Sequence, residues 1–393
     1  MRVRTALAAT AALLLSAALA GPAVAAGPAS SASSGHTATR EALEAAVTAG
    51  APGATVTVRD GHGTWSAAAG VGDTRTGRPR SAADHYRIAS ITKTFVATVL
   101  LQLEAEGRLS LDDTVERWLP GVVRGHGHDG RKITLRQLLN HTSGIHDYLQ
   151  DPEFARDYFT AAGFSRHRYD TLTPRHLVGL ALRHAPDFAP GTSWRYSNTN
   201  YVLAGMVIEE VTGRPYGTEI TRRIIAPLHL RATSVPGTRT TLPRPSGRAY
   251  STFTVPGGPV YDVTELNPSL ASSAGEMISD SADLSRFFGA LLRGELLPPR
   301  SLKEMKTTVA TGIEPGVRYG LGLMDTRLDC GVHVWGHTGG IHGSVSEART
   351  TADGRHSLAV NLNGDWAGET SAVVEKEFCP PASQPDTRVS TGR

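Results

Sequence analysis

The sequence predicts an α+β fold: an antiparallel sheet flanked by helices, an all-helical lobe beside it, and a ligand cleft between the two. Two observations carry this. Short alternating strand patterns sit near both ends of the chain, while the long middle reads as helices. Strands segregated in this way pair in one antiparallel sheet, with the helices packed as a second layer. The chain also has the material for a large core, with 393 residues of which 40% are hydrophobic.

Taken in order, "GATVTVRDGHGTWSAAAG" reads as a hairpin turning through Asp60-Gly61-His62-Gly63. "SITKTFVATVLLQLEAEG" reads as a helix. Val96, Val99, Leu100 and Leu103 recur at the spacing of one buried face, and Gly107 stops it. "LRQLLNHTSG", "TPRHLVGLALRH" and "YVLAGMVIEEVTG" are helical segments between Gly/Pro-rich loops. "CGVHVWGHTGG", "SVSEARTT" and "RHSLAVNLN" return to strand, and a last helix covers about 367–378. The sheet lobe is therefore placed at about 39–90 and 310–380, and the helical lobe at about 95–300. The cleft between lobes is the default binding site.

The ends read differently. Residues 1–26 are expected to be a secretory signal, with Arg2 and Arg4, an apolar middle, and Ala23-Val24-Ala25 as a small-residue cleavage pattern. Residues 27–38 read as a linker, 39–380 as the domain and 381–393 as a polar tail. No later segment is long and apolar enough to span a bilayer, so the expected product is secreted and carries no membrane anchor. Net charge is +3, and two of the positive charges lie in the signal. The near-neutral remainder carries no footprint for nucleic acid. Cys330 and Cys379, an even pair in an exported chain, are expected to form one disulfide.

Lys93 is out of place in its apolar helix. The chain has five lysines, at 93, 132, 303, 306 and 376, against thirty-five arginines. Arg serves wherever any cation suffices, but only Lys can lose its proton when buried. Ser90 lies one turn earlier, on the same face, and is the group that could hand a proton over. G-x-S-x-G, G-x-x-x-x-G-K-[ST] and H-E-x-x-H are absent from the sequence. "GHGHDG", with His126, His128 and Asp129, reads as a polar surface loop. Three stretches remain: Ser90-Ile91-Thr92-Lys93, Tyr196-Ser197-Asn198 and His337-Thr338-Gly339.

In this order and at these separations the three stretches resemble the S-x-x-K, S/Y-x-N and K/H-T-G signatures of serine β-lactamases and penicillin-binding proteins. The Tyr and His forms resemble the class C β-lactamase-like serine hydrolases, and most closely the secreted D-alanyl-D-alanine carboxypeptidases. "LLNHTSGI", "PGTSWRYSNTNY", "SSAGEMISDSADLSRFF" and "YGLGL" extend the similarity over about 40–380. The resemblance implies a β-lactamase/transpeptidase-like fold and an acyl-enzyme on Ser90. Lys93 is then the base and Tyr196 a proton shuttle whose pKa nearby cations, Lys93 and His337, would lower. Asn198 and Thr338 would bind substrate, with His337, Gly339 and Gly340 on the same strand. The N–H groups of Ser90 and Gly340 would receive the oxyanion. The expected partners are a small or peptidoglycan-derived peptide and β-lactams as acylating ligands. No metal or organic cofactor is required, and the protein is expected to be a monomer.

The match departs from the carboxypeptidase pattern in one respect. The Arg and Thr that bind the substrate's terminal carboxylate are replaced here by Met324 and Gly340, with Arg327 nearby. The leading expectation is a carboxypeptidase, and the alternative is a related acyl hydrolase: β-lactamase, esterase or D-aminopeptidase. A non-catalytic binding module is disfavoured, because binding alone needs no general base.

Overall fold

The computed structural model describes residues 35–253, 255 and 257–379. The expected signal at 1–26, most of the linker and the tail at 381–393 lie outside the described residues. The sheet has nine strands: β1 (Gly53–Asp60), β2 (Gly63–Asp73), β3 (Arg78–Pro79), β4 (Val309–Ala310), β5 (Val317–Tyr319), β6 (Met324–Arg327), β7 (His333–Ile341), β8 (Ser344–Thr351) and β9 (Ser357–Leu362). Their order is β4-β5-β6-β7-β8-β9-β1-β2-β3, and every pairing is antiparallel. An early and a late strand meet at β1 and β9, where Val56 pairs with Val360.

Five helices position and support the cleft: α1 (Thr37–Thr48), α2 (Thr92–Ala105), α3 (Asn198–Thr212), α4 (Ser281–Leu292) and α5 (Thr370–Phe378). The period of two in β1 and β9 sends Ala54, Val56, Val58, Leu358, Val360 and Leu362 to one face. There they pack with Leu43 of α1 and Val373, Val374 and Phe378 of α5. The other face meets α4, where Ser285 Oγ donates to Thr57 O and Ser357 Oγ donates to Ser285 O, both at 3.0 Å. Phe287 of α4 stacks on Phe95 of α2, with ring centroids 3.7 Å apart, inside the larger core. That core continues through α2 and α3 into the helical lobe.

α1 begins at Thr37, so the end of the stretch read as linker is helix. α2 departs from the single-face pattern, since eleven of its fourteen residues are buried. Its Thr94 and Thr98 tolerate this because their hydroxyls donate to Gly322 O and Thr94 O, both at 2.7 Å. Cys330 and Cys379 are bridged, with Cα atoms 5.8 Å apart, tying the β6–β7 turn to the end of α5. In the "GHGHDG" loop, His128 Nε2 bonds His184 O at 3.1 Å and Asp129 is held by Arg131. Among the described residues no helix is long and apolar enough to cross a membrane.

Candidate active site

Ser90 sits in a single helical turn, Ala89–Ile91, that leads into α2. Ala89 before it has φ +47°, a conformation that costs an L-residue roughly 1–2 kcal/mol. Such strain is held by its surroundings, here by β7. A Cβ on Gly339 would stand 2.2 Å from Ile88 O, so only glycine lets the strand pass this close to the turn. A Cβ on Gly340 would meet nothing within 4 Å, because that position opens into the cleft.

Lys93 is fully buried. Its Nζ lies 2.7 Å from Asn198 Oδ1, 2.8 Å from Ala274 O and 3.0 Å from Ser90 Oγ. The two carbonyl oxygens can only accept, so they take two amine hydrogens. A neutral amine has no third hydrogen, and its lone pair falls to Ser90. Burial lowers Lys93 to about 7, with the charge of Asp147 acting in the opposite direction. The site thus places a base that is available near neutrality against the hydroxyl it would deprotonate.

Tyr196 differs from expectation. Burial pushes its phenol above the ordinary value, Asp147 adds to the rise, and only a hydrogen bond with Ser90 acts in the lowering direction. The cations expected to favour phenolate are weak here. Lys93 is itself easily neutralised, and burial takes His337 down to about 3. Both nitrogens of His337 are used within the fold: Nδ1 bonds Thr338 O at 2.6 Å, and Nε2 faces Tyr319 Oη at 2.8 Å. The carbonyl can only accept, so Nδ1 carries the proton and Tyr319 donates to Nε2. His337 therefore orients its strand and offers a ligand its ring, not a free nitrogen.

The cleft has two arms that meet at Ser90, Tyr196 and Gly340, each about 250 Å³. One runs along β6 and β7 past Trp194, Ile313, Met324 and Thr338. The other runs under the helical lobe past Tyr148, Leu149, Phe159, Leu270 and Ile341, with Asn198 at its root. Neither is lined by Lys or Arg among the described residues. Met324 pairs with Gly336 and lies 4.0 Å from Thr338 Oγ1. Arg327 pairs with His333, four residues before His337. At about 3.4 Å per residue it stands about 14 Å along the strand from the H-T-G stretch, and it is exposed. It does not substitute for the missing carboxylate partner.

The structure therefore brings Ser90, Lys93, Tyr196, Asn198, His337, Thr338, Gly339 and Gly340 to one cleft. Sequence reasoning assigned no role to three neighbours. Ala274 supplies the second acceptor for Lys93 from 181 residues away. His141, buried at φ +61°, accepts from Ser197 N–H at 3.2 Å and lies 4.3 Å from the Tyr196 ring. Asp147 lies behind Asn198. The segments "LLNHTSGI" and "SSAGEM" carried the family resemblance, but nothing in their composition says which of their atoms face a lysine.

A serine within hydrogen-bond reach of a buried lysine, between a large antiparallel sheet and a helical lobe, is the arrangement of a serine hydrolase of the β-lactamase and penicillin-binding protein class. Residues 39–366 match the family described as Beta-lactamase, and the chain belongs to that family. A solved D-stereospecific amidohydrolase from Streptomyces sp. is 61% identical over 88% of this chain and 99% of its own, with a TM-score of 0.84. D-amino acid amidase from Ochrobactrum anthropi SV3, complexed with L-phenylalanine, is 29% identical over 86% of this chain and 96% of its own, with a TM-score of 0.75. Penicillin-binding protein 4* of Bacillus subtilis (strain 168) is 28% identical over 76% of this chain, which spans 65% of that protein's length.

Proposed function

We propose that this chain is a secreted serine amidohydrolase that forms an acyl-enzyme on Ser90 from amides and esters of D-amino acids. The observation that carries this reading is the uncharged cleft. With Met324 and Gly340 at the carboxylate positions, and no Lys or Arg among the described residues along either arm, a substrate's free carboxylate finds no ionic partner there. That favours a neutral amide or ester leaving group over the C-terminal D-Ala of the leading carboxypeptidase expectation. The likeness to a D-stereospecific amidohydrolase and a D-amino acid amidase supports the same alternative. The apolar arm past Tyr148, Leu149 and Phe159 suits a large apolar side chain on the acyl residue. Penicillin, as a strained amide, remains an acylating ligand. The expected signal segment and the Cys330–Cys379 bridge support export.

In the proposed reaction neutral Lys93 takes the Ser90 proton, and Oγ attacks the carbonyl carbon. The N–H groups of Ser90 and Gly340 receive the oxyanion, and Asn198 holds the substrate amide. As the C–N or C–O bond breaks, the Tyr196 phenol gives its proton to the leaving atom and is reprotonated from Lys93. A raised Tyr196 pKa suits this donor role better than a resting phenolate. Water then attacks the ester, again with Lys93 as base, and frees Ser90.

The test compares turnover of D-phenylalanine amide, D-phenylalanine methyl ester, their L-enantiomers and a free-acid D-Ala-D-Ala peptide. The D-amide and D-ester should exceed their L-forms, and should exceed the free acid by roughly tenfold or more, the ratio set by about one ionic hydrogen bond that the cleft does not supply. A marked preference for the free-acid peptide would overturn the reading.

A further inference from the structure

Asp147 belongs to none of the three motifs. It is nonetheless buried, at 6% exposure, one residue past His146, whose carbonyl accepts from the Ser197 and Thr199 hydroxyls on either side of Asn198. Its carboxylate accepts from Asn198 Nδ2 at 2.9 Å and from Leu149 N–H at 3.2 Å. On its other end, Asn198 presents Oδ1 to Lys93 Nζ at 2.7 Å. Asn198 is thus clamped between an acid and a base, 51 residues from the one and 105 from the other.

We propose that Asp147 is a positioning residue for acylation: its carboxylate holds the nitrogen end of Asn198, which keeps the oxygen end on Lys93 and leaves the second amide N–H for the substrate. This rests on the reading of Ser90 as nucleophile and Lys93 as base. The physical reason is the symmetry of an amide, which has nearly the same shape either way round. Flipped, Asn198 would set its oxygen against the Asp147 carboxylate and its N–H₂ against Lys93. A neutral Lys93 would then accept from that N–H₂ with the lone pair it needs for Ser90. The carboxylate makes the flip unfavourable, because two oxygens would face each other in a buried site.

The same carboxylate has an electrostatic effect. Lys93 faces Ser90 Oγ, the rings of Tyr196 at 4.8 Å and Tyr201 at 5.6 Å, and, more remotely, His141 and His337. Burial lowers both histidines, so both are neutral at working pH and Asp147 is the anion that acts on Lys93. Asp147 raises Lys93 against burial, so removing its charge lets Lys93 lose its proton at lower pH. Asp147 itself is pushed up by burial and held down by its hydrogen bonds and by Lys93.

The experiment measures kcat/KM against pH for Asp147→Asn and Asp147→Ala on a D-amino acid ester, with melting temperature as a fold control. Asp147→Asn keeps the shape and one accepting oxygen but removes the charge, so its acid limb should move to lower pH than in the wild type. Asp147→Ala removes both the clamp and the charge, so its acid limb should move in the same direction while kcat on the plateau falls roughly ten- to hundredfold, as expected for one lost bond to a charged group. Folded Asp147→Asn with an unmoved acid limb overturns the proposal, whatever its activity. If Asp147→Ala fails to fold, Asp147→Asn alone decides. Penicillin labelling of Ser90→Ala is run alongside. An adduct persisting there means that the nucleophile is misassigned, a failure separate from an unmoved pH profile.

Discussion

At the scale of the residue, the site turns on one proton. Lys93 is fully buried in a chain of five lysines against thirty-five arginines, and its two carbonyl partners leave its lone pair to Ser90. Lys93 must be neutral to act, and burial brings it to about 7. Acylation should therefore rise as pH passes upward through about 7. Lys93→Arg keeps the charge and cannot lose it. It should abolish the penicillin adduct on Ser90, a loss of roughly 10²–10⁴ for a general base, while circular dichroism stays close to wild type. Intact-mass analysis reads the adduct. Labelling at a rate near wild type would reduce Lys93 to an electrostatic partner.

At the scale of the element, β6 and β7 line one arm of the cleft and are proposed to read the substrate's terminus. β7 must carry glycine at 339, where a side chain would strike Ile88 O, but it has room at 340. Because Gly340 is open, the Thr of carboxypeptidases fits there sterically, and Arg fits the register of Met324 beside Gly336. Met324→Arg with Gly340→Thr should raise kcat/KM for a free-acid D-Ala-D-Ala peptide roughly ten- to hundredfold over its C-terminal amide. One recovered ionic bond of about 1.5–3 kcal/mol gives that ratio. The gain need not be the sum of the single variants, because both side chains would reach one carboxylate. Equal change for acid and amide would show that this strand does not read the substrate's terminus.

At the scale of the whole molecule, the early strands β1–β3 and the late strands β4–β9 join in one sheet through the β1–β9 pair, and α1 and α5 cover one of its faces. The Cys330–Cys379 bridge fastens α5 to the β6–β7 turn across a sequence separation of 49. On the chain-entropy account, a loop of this length is worth up to roughly 4 kcal/mol. Cys330→Ser with Cys379→Ser should lower the urea midpoint accordingly. Neither cysteine lines the cleft, so kcat/KM of the folded fraction should stay near wild type. An unchanged midpoint would mean that the sheet and its helices hold α5 without the bridge.

What the sequence by itself determined is local in character. Period-two and period-3.6 patterns placed the hairpin, α2 and the late strands. Three short motifs singled out Ser90, Lys93, Tyr196, Asn198 and the H-T-G strand, which the fold brings to one cleft, and the cysteine pair was read correctly. These succeed because strand and helix periodicity and motif spacing are properties of neighbours along the chain. What only the tertiary structure decided depends on groups far apart in sequence. The protonation of Tyr196 and His337 follows from burial, which no spacing reveals, and it reversed the expected phenolate. The third partner of Lys93 is a backbone carbonyl, Ala274 O, which has no side-chain signature. Arg327, three residues from Met324, was a candidate carboxylate partner until strand register set it opposite His333. The charge of the cleft is a sum over two strands and several loops, and that sum exists only once the chain has folded.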